Sequence, residues 1–166
     1  MPGGKDCSDD PGREVAGVAD PSVGVLMFVA HRAIEQRVLA ALRAAGFDDS
    51  TLAQGRVFAR IGEGGTRLTD LAEMAQVTKQ TASFLVDQLV RGGYVERVVD
   101  PRDARARLVR IAPKGRRAQE LAAGAESEVY AEWEEHLGVR EMARLRGLMG
   151  RLREVTDPYR DLDPQA

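Results

Sequence analysis

Between residues 66 and 117 the spacing of apolar residues changes period twice, and this limits the folds open to the chain. Thr69 to Ala75 presents Leu71, Ala72 and Ala75 on one side of a short helix, with Asp70 and Glu73 suited to the positive end of its dipole. Thr78 starts a second helix, to about Arg91, that turns Ala82, Leu85, Val86 and Leu89 inward at i, i+3, i+4 and i+7. Gly92-Gly93 ends it where a left-handed residue is wanted. Alternation then takes over. Tyr94–Val99 and Ala106–Ile111 read as two strands of a hairpin, joined by a charged loop from Asp100 to Arg105. Pro113 suits a first helical turn, and the helical period returns from about Lys114 to Leu137. Two helices joined by a tight turn, followed by an Arg-bearing hairpin, make a winged helix-turn-helix.

The flanks are helical. Ser22 to Ala45 carries Leu26, Met27, Val29, Ala30, Ile34, Val38, Ala41 and Leu42 at helical spacing, and Gly46 stops it. Its first turns are apolar on most sides, which predicts burial against more than its own chain. Asp20-Pro21-Ser22 reads as its cap, with Pro21 in the first turn. Ser50 to Ile61 is a second helix, broken by Gly62-Glu63-Gly64-Gly65. Val139 to Val155 aligns Met142, Leu145, Leu148, Met149, Leu152 and Val155 in one stripe. The predicted fold is mainly α with a small β-hairpin wing. It divides into a tail (1–20), a helix (21–48), the winged helix-turn-helix (49–113), two further helices (114–157) and a second tail (158–166).

Composition narrows the classes. The 166 residues fit one domain with extensions, and 43% hydrophobic residues suit a globular fold. One cysteine, Cys7, allows neither an internal disulfide nor a Cys-based metal cluster. The apolar run Val23–Ala30 is too short to span a bilayer, and no cationic segment leads into it, so a cytoplasmic protein without membrane contact is expected. Aromatics at 5% exclude a base-stacking platform for single strands. The net charge of −2 hides an asymmetry: Thr66 to Arg117 holds 11 Lys/Arg against 6 Asp/Glu, a net of +5. Phosphates respond to that local charge rather than to the total.

The second helix of the motif fits the major groove of B-DNA, where its N-terminal residues reach base edges. Those residues are Thr78, Lys79, Gln80, Thr81 and Ser83. Gln pairs with adenine, Lys reaches guanine or phosphate, and a Thr methyl touches thymine. The wing offers Arg102, Arg105 and Arg107 to a minor groove or to phosphates, and Lys114 stands within reach of the backbone. Each charge alone reads as a solvated side chain; the joint pattern predicts double-stranded DNA as partner.

At residues 68–115, LTDLAEMAQVTKQTASFLVDQLVRGGYVERVVDPRDARARLVRIAPKG, the chain resembles the MarR family of bacterial transcription regulators. The order of elements over about 22–157 matches as well, and the Asp103-x-Arg105 wing motif is the most specific part. The resemblance implies a homodimer formed by helices of 21–48 and 114–157. It implies a pseudo-palindromic operator, repression, and release by a small aromatic or amphipathic ligand. It also implies that Asp103 orients Arg105, the groove contact. Phe28, His31, Arg32 and Phe58, from the first two helices, are the candidate ligand-pocket residues. Two departures stand out. Gln76 occupies a turn position that is often Gly, and a left-handed Gln costs about 1–2 kcal/mol. Ala112 stands where a capping Thr is common, a loss of about 1 kcal/mol.

The remaining features read as structural. Cys7 lies among Asp6, Asp9 and Asp10, which raise a thiol pKa and oppose a redox role. Glu132 and His136 share an i, i+4 spacing, without the motif a metal site needs. The glycines at 62–65 follow a helix rather than a strand, so they are no phosphate cradle. Trp133 reads as a dimer-core residue. No catalytic constellation, metal site or cofactor is expected. The rival reading is a winged-helix protein-interaction module without sequence-specific DNA binding.

Overall fold

A computed structural model of the chain describes residues 20–159. Cys7 and both predicted tails, apart from residue 20 and residues 158–159, lie outside the described residues. The elements run α1 (Val23–Ala44), α2 (Leu52–Phe58), β1 (Thr66–Arg67), α3 (Leu68–Met74), α4 (Lys79–Arg91), β2 (Val95–Asp100), β3 (Asp103–Ile111), α5 (Pro113–Leu137) and α6 (Val139–Thr156). The sheet is antiparallel, in the order β1-β3-β2.

Local chemistry sets these boundaries. Ser22 caps α1 by accepting the Val25 N–H, so Pro21 lies outside the helix rather than in its first turn. Thr51 and Gln54 form a reciprocal capping box, which starts α2 at Leu52. Ala112 offers α5 no side-chain cap, and Pro113 sits at the start of that helix.

The wing differs from its predicted form. The strands extend through the charged segment, so Asp100 pairs with Asp103 and only Pro101 and Arg102 remain in the turn. Alternation of large apolar residues could not reveal this, because residues 102–105 carry only Ala104. β1 was not expected either: at two residues it is too short to show a period.

The core lies where the three-helix head meets the sheet. Leu71, Val57 and Val86 are fully buried, joined by Leu85, Leu89, Tyr94, Val95, Val109, Ile111 and Ala118. The four residues predicted to face inward from α4 are all buried. Burying one large aliphatic side chain stabilises by roughly 1.5–3 kcal/mol, so this cluster fixes the pose of α4 against the wing. Gly115 brings α5 onto the head: a Cβ there would collide with the backbone oxygen of Tyr94. Ion pairs brace the first helix. Arg56 of α2 holds Glu35 of α1 at 2.7 Å, and Arg37 of α1 holds Glu132 of α5 at 2.8 Å.

α1 contains no buried residue, although Val23, Leu26 and Phe28 stand in its first turns. On α6, Leu145, Leu148, Met149 and Leu152 are likewise exposed.

Candidate nucleic-acid interface

The N-terminus of α4 carries the first group of candidate contacts. Thr78 is the N-cap residue; its hydroxyl accepts the Thr81 N–H at 3.1 Å and shares a hydrogen bond with the Thr81 hydroxyl at 2.9 Å. These two threonines therefore set the helix start as well as lining its tip. Lys79 and Gln80 follow, both exposed, while Ser83 is half-buried. No side-chain hydrogen bond or ion pair joins Lys79 or Gln80 to another described residue. The turn before α4 places Gln76 in the left-handed region at φ 54°, and its amide donates to the Glu73 carbonyl at 2.8 Å. The strain expected of a non-glycine residue is present, and this bond offsets part of it.

The wing carries the second group. Arg102, Asp103, Arg105 and Arg107 are all exposed. Asp103 touches Arg105 through the backbone, accepting its N–H at 3.0 Å. Arg107 folds back onto the hairpin, donating to the carbonyls of Ala104 and Ala106 at 3.1 and 3.0 Å.

Asp100, expected in the charged loop between the strands, anchors the hairpin. Asp100 is only 4% exposed. One oxygen accepts the Arg102 N–H at 2.9 Å, and the other accepts from Nε and Nη2 of Arg67 at 2.9 and 2.6 Å. The Arg102 N–H and then the Arg67 guanidinium hold its carboxyl below the usual range. Arg67 is the N-cap residue of α3, so this pair ties the wing to the first helix of the motif. Sequence gave one signal for it, an Arg abutting the motif with an acidic residue at the strand end.

Lys114 is turned into the chain rather than outward. Its ammonium donates to the Gly92 carbonyl at 2.9 Å, lies 4.1 Å from the centre of the Tyr94 ring and sits 3.6 Å from Asp49. The Tyr94 hydroxyl donates to that same Asp49 carboxylate, which is shifted down, first by this bond.

The candidate ligand residues are not gathered in one pocket. Arg32 lies 5.7 Å from the Phe28 ring on the outer side of α1, His31 faces Glu35 at 3.4 Å, and Phe58 packs on the core beside Gly115. A cleft of about 810 Å³ lies instead between the end of α1 and the first half of α5, lined by Ala45, Phe47, Lys114, Arg117 and Leu121 among others. Glu132 is taken up by Arg37, and no group of three metal-ligating side chains occurs among the described residues. Trp133 meets Tyr130 edge-on at 6.0 Å. No described helix is long and apolar enough to cross a membrane.

Residues 48–106, from the end of the α1–α2 turn to the wing, match the model of the MarR family. This segment is thus similar to the MarR family. A curated relative, the exopolysaccharide II synthesis transcriptional activator ExpG of Rhizobium meliloti (strain 1021), is 32% identical over 79 residues. The match covers 48% of this chain and 39% of that protein, so the chain spans about two-fifths of the relative's length. A probable transcriptional regulator from Pseudomonas aeruginosa has a solved structure 28% identical, covering 80% of this chain and 98% of its own, with a TM-score of 0.57. The reduced form of MarR from E. coli shares the fold at a TM-score of 0.66 and 23% identity, over 80% of this chain and 96% of its own. The likeness in fold thus extends beyond residues 48–106 into the flanking helices.

Proposed function

We propose that the protein is a homodimeric, sequence-specific DNA-binding transcription regulator. The observation that carries this reading is the joint exposure of Lys79 and Gln80 at the tip of α4 and of Arg102 and Arg105 on the wing. A helix tip and a hairpin on one rigid core fit adjacent major and minor grooves. The local net of +5 supplies the attraction to phosphate. The match of residues 48–106 to the MarR-family model supports the same reading.

The apolar surfaces of α1 and α6 support the homodimer. They lie at the two ends of the chain, outside the DNA-reading segment, where a second copy would bury them. Two α4 helices about one DNA turn, roughly 34 Å, apart then read a pseudo-palindromic operator. Where the operator lies sets the sign of regulation: across a promoter the bound dimer represses, and upstream of it the same dimer can activate. The cleft between α1 and α5 falls within the range of small-ligand sites, about 300–1,000 Å³. A small aromatic or amphipathic ligand held there would loosen DNA binding if it favoured another spacing of the two heads.

Arg105→Ala tests the reading. In a titration of labelled duplex at several salt concentrations, the substitution should weaken binding and lower the salt slope by about 1 for a lost phosphate contact. Unchanged affinity and slope would favour the protein-interaction module instead.

A further inference from the structure

Phe84 stands on the face of α4 that the core does not use. It is 58% exposed. At about 100° per residue, Gln80, Phe84 and Asp87 fall opposite the buried stripe of Ala82, Leu85, Val86 and Leu89. Phe84 is thus one turn beyond Gln80, on the same outward line. An exposed aromatic on an otherwise polar helix face leaves apolar area in water and gives nothing back to the fold.

The surroundings of Phe84 suit a polyanion. Asp87, the acidic group on this line, is paired with Arg97 of β2 at 2.8 Å, which mutes its repulsion of phosphate. Lys79 lies at the helix tip, and the Arg-bearing wing follows in the sheet. With α4 in a major groove, a ring one helical turn beyond Gln80 would meet the groove floor about one or two base pairs away, given a rise of about 5.4 Å per helical turn. The apolar group on that floor is the C5-methyl of thymine, which an aromatic side chain can cover.

Resting on the DNA-binding reading above, we infer that Phe84 is a specificity residue that reads a thymine methyl group beside the base read by Gln80. Gln80 then contributes hydrogen-bond readout and Phe84 contributes apolar readout. The half-site should carry a thymine at a fixed step from the adenine that pairs with Gln80.

The test uses the full chain and the tightest duplex recovered from a random-sequence library. Each thymine of a half-site is replaced in turn by deoxyuridine, which deletes only the methyl group. Wild-type protein should lose about fourfold in affinity at the contacted thymine, the equivalent of one buried methyl. Phe84→Ala should bind the thymine and deoxyuridine duplexes equally, while Phe84→Leu should keep part of the discrimination. Thermal denaturation of both variants should match wild type, because the ring is outside the core. Equal wild-type affinity for every deoxyuridine duplex would overturn the inference and leave DNA binding intact, as would an undiminished methyl effect in Phe84→Ala. Failure of the wild type to select any duplex would remove the DNA-binding reading and this inference with it.

Discussion

The guanidinium of Arg67, on β1, closes on the buried carboxylate of Asp100, at the end of β2, at 2.6 and 2.9 Å. It also lies 3.9 Å from Asp103, the residue paired with Asp100 across the hairpin. Two carboxylates at paired positions repel. The guanidinium between them lets the strands run to a turn of only two residues. The same residue occupies the N-cap position of α3, so its ion pair joins the wing directly to the start of the helix-turn-helix.

Arg67→Ala should therefore weaken DNA binding although Arg67 belongs to neither the tip of α4 nor the wing turn. The expected loss is about tenfold, the scale of one charged hydrogen bond misplaced at the interface. Arg67→Lys should recover part of it, since one ammonium can replace the charge but not both N–H groups. Duplex titrations of the two variants beside Arg105→Ala check this; wild-type affinity in Arg67→Ala would show that the wing holds its own shape.

Gly115→Ala should destabilise the chain by at least about 1–3 kcal/mol, the usual cost of overpacking. The added methyl meets the Tyr94 backbone oxygen, which cannot turn aside as a side chain can. Gly124→Ala, further along α5 with open space around it, should be neutral or slightly stabilising. Chemical denaturation of the pair separates the steric effect from helix propensity.

Much of this was legible in sequence because helical stripes survive local variation. The inward face of α4, its start at Thr78, the Gly92-Gly93 stop and the unusual residue Gln76 at the turn could all be read from spacing and residue type. The wing could not. Its tip is held by polar pairing between Arg67 and Asp100, residues 33 apart in the chain, and periodicity carries no information about such a pair. The surroundings of Lys114 are hidden for a related reason: its neighbours Asp49, Tyr94 and Gly92 converge only in the fold. Phe28, His31, Arg32 and Phe58 lie on α1 and α2, whereas the cleft forms between α1 and α5, a meeting that spacing along the chain does not reveal.

Acid should unfold the protein through a small set of carboxylates. Arg56 draws Glu35 down, the Tyr94 hydroxyl draws Asp49 down, and the Arg102 N–H and Arg67 draw Asp100 down. Groups with folded pKa values below their unfolded ones stabilise above the unfolded values, and the benefit is lost as pH falls through the folded ones. Thermal stability should thus change little from these groups between pH 7 and 5 and decline below about pH 4. Asp49→Asn should decline less steeply over that acid range; a slope equal to wild type would show that Asp49 is not one of the groups responsible.

Leu148→Glu tests the dimer. The side chain is exposed in the single chain, so the substitution should leave the fold of the reading head intact. If α6 pairs with a second copy, a buried charge there should convert a dimer into a monomer in sedimentation equilibrium at micromolar concentration. It should also weaken binding to a two-half-site duplex far more than to a single half-site. A dimer unaffected by the substitution would move the interface elsewhere.

The most direct measurement of the central claim is selection of bound duplexes from a random-sequence library by the purified chain at physiological salt. The account predicts an inverted repeat whose half-site centres lie about 10 bp apart, one turn of the helix. Recovery of duplexes without a shared sequence, or of none, would contradict a sequence-reading dimer.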